Sequence, residues 1–312
     1  MSTPSRRPPQ RADDVRTGYA IADDGIQLYW RAIGTGPAIL CNNGVGVGTF
    51  FWKYLVERFR DQYTVILWDY RGHGRSSRNI DPEQADLSVL RHTRDAHFVV
   101  EDALRPHQDV ILIGHSMGVQ VALEFRRRYP GRVQAMVLML GTAGRALDTF
   151  FDWEHSPLVF RALRRLVSSL GPAANEIMRP ALHSPLAWPV ACALYLVDPL
   201  YTRREDLQRY TEHIASLDAR LFIESVCQLN LHSAWESLDD IDEPVLVIAA
   251  EKDTFTPLWC SQKMVDAIDG AEMLVLADAS HAALIEQPET INHRIARFFR
   301  EQLNEPGAPP QP

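Results

Sequence analysis

The segment Asp109-Val110-Ile111-Leu112-Ile113-Gly114-His115-Ser116-Met117-Gly118-Val119-Gln120 decides the fold. Val110 to Ile113 is an unbroken apolar run rich in β-branched residues, the pattern of a central strand buried on both faces. Val119 to Phe125 then spaces apolar side chains at the helical period. Between them, Gly114 and Gly118 stand two residues before and two residues after Ser116. A strand that turns directly into a helix brings backbone segments too close for side chains at those two positions. Ser116 is left on a strained turn with its hydroxyl pointing out, at the N-terminus of a helix whose dipole favours negative charge. A nucleophilic serine needs that placement. A chance Gly-x-Ser-x-Gly in a surface loop would lack the flanking strand and helix.

In this context Gly114-His115-Ser116-Met117-Gly118 resembles the nucleophile elbow of the α/β-hydrolase family. The resemblance implies a mostly parallel eight-stranded sheet flanked by helices, with a helical cap inserted after the sixth strand. It also implies the chain order nucleophile, acid, histidine. The expected division is a disordered segment over 1–15, a core domain over 16–143 and 238–304, a cap over 144–237 and a disordered tail over 305–312.

Composition agrees with a globular chain. Of 312 residues, 46% are hydrophobic and 23% charged, and the net charge is −8. That charge argues against a nucleic-acid partner, because no basic field is available to neutralise phosphates. Cys41, Cys192, Cys227 and Cys260 are scattered, with no Cys-x-x-Cys pair and no metal-ligand spacing. Cys41 and Cys192 read as small buried hydrophobes, and a reducing cytoplasm is the default compartment. Arg6-Arg7 is not followed by an apolar stretch, so no export signal is expected, and no apolar run is long enough to span a membrane.

Upstream of the elbow, Gly18 to Gly36 reads as a hairpin turning at Asp23-Asp24-Gly25, with Ile26 to Arg31 as its second strand. Pro37 to Cys41 is a buried strand that runs into Asn42-Asn43-Gly44-Val45-Gly46-Val47-Gly48, where glycines permit a close backbone approach to a ligand. In the family, the corresponding loop usually carries a histidine where Asn43 stands, and donates one backbone N–H to the oxyanion hole. The resemblance assigns that donor to Val45 and the second donor to Met117. Thr49 to Asp61 has helical periodicity. Phe50, Phe51 and Trp52 at its start either line a substrate pocket or belong to the core. Asp69-Tyr70-Arg71-Gly72-His73-Gly74-Arg75-Ser76 matches the family's Asp-x-Arg-Gly-x-Gly-x-Ser segment, an architectural feature in which Asp69 and Arg71 hold loops together. Leu87 to Leu104 is a long amphipathic helix.

Downstream, Val133 to Leu140 is a strand, and the pattern then becomes helix-rich and aromatic until Ser237. The resemblance places a cap here, over the active site. Asn43, Phe50, Trp52, Phe150, Trp153 and Trp188 are the pocket candidates. The sheet resumes with Pro244 to Ala250 and Ala271 to Leu276, and Pro288 to Leu303 is a closing helix.

A serine hydroxyl is a poor nucleophile at neutral pH; it needs a base, and the base needs an orienting anion. His281 follows the last strand in a short loop, and Asp253 lies just past the strand before it. Both strand ends open on the edge of the sheet that carries the elbow. Ser116, Asp253, His281 is the family's order, whereas Glu251 is nearly within a strand and Asp278 suits a loop-stabilising or solvated role. The implied chemistry is acyl transfer with no metal or organic cofactor, on a small to medium, fairly apolar ester. Lactonase, C–C bond hydrolase, perhydrolase and acyltransferase share the same triad. A non-catalytic small-ligand receptor on this fold is the alternative of another class. Oligomeric state is not readable.

Overall fold

The computed structural model describes residues 14–303. The strands are β1 (Val15–Ile21), β2 (Gln27–Ile33), β3 (Ala38–Asn42), β4 (Thr64–Trp68), β5 (Val110–His115), β6 (Val133–Met139), β7 (Val245–Ala250) and β8 (Glu272–Leu276). They form one sheet in the order β1-β2-β4-β3-β5-β6-β7-β8. The β1–β2 and β2–β4 pairs are antiparallel, and every other pair is parallel. The expected segments of disorder fall outside the described residues except for Asp14 and Val15. Val15 already pairs with Ile33, so the sheet starts one residue before the expected domain edge.

Outside the cap, the helices are α1 (Lys53–Phe59), α2 (Val89–Ala103) and α3 (Met117–Arg128) before the insertion, and α9 (Leu258–Ala267), α10 (Ala283–Glu286) and α11 (Pro288–Gln302) after it. The central strands β3, β4, β5 and β7 are buried at every position, and their side chains alternate between two cores. Leu40, Leu112, Met136 and Val247 face the layer of α2, α3 and α9. Ile39, Ile111, Val137 and Ile248 face the layer of α1 and α11. Ser88 starts α2 by accepting the Arg91 N–H at 3.2 Å. The first turn of the expected helix over 49–61 is instead a 3₁₀ turn, Thr49–Trp52, which leads into α1.

The Asp-x-Arg-Gly segment is architectural as expected. The buried Arg71 guanidinium forks onto Asp95 at 2.7 and 2.9 Å and reaches Asp24 at 2.7 Å, tying the β1–β2 turn to α2. Asp69 accepts the Arg75 N–H at 2.9 Å. His73 is buried, with Nδ1 3.0 Å from the Arg71 carbonyl.

Between β6 and β7 lie α4 (Ser156–Leu170), α5 (Ala173–His183), α6 (Ala187–Ala193), α7 (Arg204–Ala215) and α8 (Ala219–Leu229). α8 is the inner helix, burying Leu221, Ile223, Val226 and Leu229, whereas α4 buries only Ser156. Cys41 is buried as expected, but Cys192 is only half-buried because it sits on this more open layer.

Candidate active site

Ser116 links β5 directly to α3 and adopts φ 56°, ψ −119°, a strained conformation for a residue with a Cβ. Close packing enforces the turn. A Cβ on Gly118 would lie 2.0 Å from the Asn42 carbonyl oxygen, so only glycine lets α3 leave β5 beside β3. The Met117 N–H is the first of α3 and has no partner one turn earlier. Across from it, the β3–α1 loop presses Gly44 against Ser116, where an added Cβ would meet the Ser116 Cβ at 3.0 Å. The next N–H, that of Val45, takes no partner among the described residues. Gly46 faces the cap, not a ligand: a Cβ there would meet the Phe222 ring at 2.6 Å.

Asp253 and His281 emerge after β7 and β8, at the same end of the sheet as Ser116. The His281 Nδ1–H donates to Asp253 Oδ2 at 2.8 Å. The buried carboxylate is held by three further donors: the N–H groups of Phe255 and Thr256 reach Oδ1 at 2.9 Å each, and the Thr256 hydroxyl reaches Oδ2 at 2.8 Å. A carboxylate so fixed sets the tautomer and orientation of the ring it faces, leaving Nε2 free for a proton. Ser116 and His281 line one cavity of about 230 Å³. Glu251 lies one residue past β7 and accepts the Asp278 N–H at 3.4 Å, and Asp278 pairs with Lys252 at 2.9 Å.

His115 is the buried neighbour of the serine. Its Nε2–H donates to the His281 carbonyl at 3.1 Å, so it braces the histidine loop. Burial, helped by the nearby His281, pushes its pKa down to about 3, and it stays a neutral ring.

Of the six pocket candidates, Phe150 lines the cavity. The other five are placed elsewhere. Asn43 and Trp52 are buried and bond one another, Trp52 Nε1–H to Asn43 Oδ1 at 2.6 Å, while Asn43 Nδ2 donates to the Trp68 carbonyl at 2.7 Å. Asn43 therefore braces the loop to β4, and the loop needs no histidine there. Phe50 packs against Phe51 and His213. Trp153 is 47% exposed, and Trp188 stacks under the Arg204 guanidinium. On the 3₁₀ turn adjacent side chains point in different directions, and it is Phe51, not Phe50 or Trp52, that enters the cavity wall. Phe160 and Phe222 of the cap aromatics also line it. Phe255 lines it as well, and its signal in the sequence is its place two residues past Asp253. Leu196, Val197, Leu207 and Tyr210 carried no local signal. Among the described residues, no group of three or more His, Cys, Asp or Glu side chains could hold a metal ion.

A family model described as the alpha/beta hydrolase family matches residues 38–294, and the chain belongs to that family. It is 27% identical over 284 residues to a protein of Azorhizobium caulinodans named "Putative carbamate hydrolase RutD", covering 91% of this chain and 98% of that one. Its fold is similar to that of a thermophilic esterase from Thermogutta terrifontis, with TM-score 0.73, 22% identity and coverage of 92% and 98%. It is also similar to the enol-lactonase from Burkholderia xenovorans, with TM-score 0.70, 19% identity and coverage of 91% and 100%.

Proposed function

We propose that the chain is a serine hydrolase that cleaves a carboxylic ester with a small to medium apolar acyl group. The observation that carries the reading is the His281–Asp253 hydrogen bond of 2.8 Å beside a serine held in a strained strand-to-helix turn on the same cavity. Ser116 Oγ attacks the ester carbonyl while its proton passes to His281 Nε2. Asp253 stabilises the imidazolium, and the Val45 and Met117 N–H groups hold the oxyanion. The tetrahedral intermediate collapses, the C–O bond breaks, and the departing alcohol takes the proton from His281. Water then repeats the sequence on the acyl-enzyme and releases the acid.

The core over 16–143 and 238–304 supplies these groups, and the cap over 144–237 shapes the pocket. The four cysteines are free thiols, which fits a reducing compartment such as the cytoplasm. No helix among the described residues is long and apolar enough to cross a membrane.

The name of the Azorhizobium relative suggests a carbamate as a second reading, since carbamates and esters share the acyl-transfer chemistry. The cavity favours the ester. Phe51, Phe150, Phe160, Phe222 and Phe255 line it, with no Arg, Lys, Asn or Gln among the lining residues to receive a small polar acid or amide.

The test compares p-nitrophenyl acetate, butyrate, octanoate and palmitate as substrates of the purified protein and of Ser116→Ala. Turnover should peak at a short to medium chain and fall on the order of 10⁴-fold or more in the variant. Surviving turnover in Ser116→Ala refutes the nucleophile. No turnover of any ester by the native chain, with tight binding of a small ligand, would favour a receptor.

A further inference from the structure

We propose that Glu286 is a positioning residue that couples the seating of His281 to the closure of the cap, an inference that rests on His281 acting as the base. Glu286 ends α10, the short helix that follows His281, and is 7% exposed. Its carboxylate gathers donors from two directions. From the histidine loop, the Ser280 N–H reaches Oε2 at 2.8 Å and the Ser280 hydroxyl reaches Oε1 at 2.7 Å. From the cap, the Asp198 N–H reaches Oε1 at 2.6 Å and the Thr202 hydroxyl reaches it at 2.9 Å. Ser280 is the residue before His281. Asp198 and Thr202 lie on the loop between α6 and α7 that supplies Leu196 and Val197 to the cavity wall. One carboxylate thus joins the segment that presents the base to the segment that closes over the substrate.

No Lys, Arg or His pairs with Glu286 among the described residues, so these four neutral donors are what replaces water around the buried carboxylate. Lifting the cap loop removes two of them, frees the carboxylate to shift away from the remaining Ser280 donors, and so disturbs the segment that carries His281. A second link runs in parallel. Lys252, the residue before Asp253, reaches Asp198 at 3.4 Å and Asp278 at 2.9 Å. Ile285 lines both the Ser116 cavity and an open polar cleft of about 1000 Å³ between α1, α11 and the cap. Glu286 itself borders that cleft, so the clamp stands in the wall between an apolar cavity and water.

Two variants test the coupling. Glu286→Gln keeps the side-chain volume but replaces one acceptor oxygen with a donor, so at least one of the four bonds is lost. Thr202→Val removes only a cap-side bond and touches no catalytic group. Misplacement of the base should lower kcat for p-nitrophenyl butyrate by about 10- to 100-fold in Glu286→Gln. Thr202→Val should also lower kcat several-fold, whereas a residue that only shaped the cap would raise KM and spare kcat. Amide hydrogen exchange supplies a readout that needs no turnover. In both variants, exchange should quicken together in segments 196–202 and 277–283. Faster exchange in only one segment, or in neither, overturns the coupling, as does an unchanged kcat in Thr202→Val. If the native chain hydrolyses no ester, the functional reading fails, while the exchange experiment still decides whether the clamp exists. If Glu286→Gln fails to fold, Thr202→Val carries both measurements.

Discussion

The sheet core and the cap build the same cavity by different means. In the core, Ser116, Asp253 and His281 sit at the ends of fully buried or paired strands; backbone contacts too tight for a Cβ set the position of Ser116, and hydrogen bonds set those of Asp253 and His281. In the cap, α4 buries one residue of fifteen, and Leu158 and Leu166 on its outer face are 53% and 55% exposed. The cavity wall it contributes comes from side chains such as Phe160, Phe222 and Leu207 leaning inward from α4, α8 and α7. Under the proposed function, the difference would assign the chemistry to the core, where an error of an ångström is costly, and much of the choice of substrate to the cap, where shape matters.

Asp253→Asn should break the core half of that division with the largest effect. The Phe255 and Thr256 N–H groups on Oδ1 would keep the amide oxygen and the loop in place, but the amide NH2 at the Oδ2 position would favour the wrong imidazole tautomer, so kcat should fall by about 10⁴-fold. The chain-length preference should stay where it was. A shifted preference would mean that the core also selects the substrate.

The seam between the two regions should respond to pH. His73 of the core and His213 of α7 lie with ring centroids 6.3 Å apart, and burial pushes each pKa down to about 4 from an ordinary value of 6.5. The folded protein therefore refuses protons that the unfolded chain accepts. The stability tied to these rings is present above pH 6.5 and is lost as pH falls from 6.5 toward 4. Each ring contributes a slope of up to about 1.4 kcal/mol per pH unit in that window. Thermal melts between pH 7 and 4.5 should fall more steeply for the native chain than for His73→Asn/His213→Asn. Equal slopes would show that the seam is wetter than its packing implies.

Phe222→Ala sharpens the cap half. It widens the cavity where the cap rests on Gly46, so KM for butyrate should rise roughly tenfold and the optimum should move to a longer acyl chain, with kcat changed less. Leu166→Gln, on the outer face of α4, should change stability by no more than about 0.5 kcal/mol and leave KM unaltered. A large loss there would mean that this face is covered by a partner.

How much of this was legible in the sequence follows from how local each constraint is. The elbow announces itself because the strand, both glycines, the serine and the helix are contiguous, and one steric requirement dictates them all. Asp253 and His281 stood out as candidates because each follows an apolar strand run at the point where a parallel sheet opens, and the structure brings the two within 2.8 Å. The pocket was legible only in part. Large aromatics mark a region with apolar surface to bury, but a Trp in a core and a Trp in a pocket have the same composition signal. Trp52 went to Asn43 and Trp188 to Arg204.

The sequence by itself thus determined the elbow and the buried strands, because these rest on periodicity and glycine sterics, and through the family resemblance and its chain order it implied the eight-stranded α/β architecture, the place of the insertion and the candidate triad. Only the tertiary structure decided that Phe51 faces the cavity, that Asn43 braces a loop, and that Glu286 reaches the cap. Those roles depend on partners tens of residues away, and no pattern along the chain encodes which distant surface a side chain will meet.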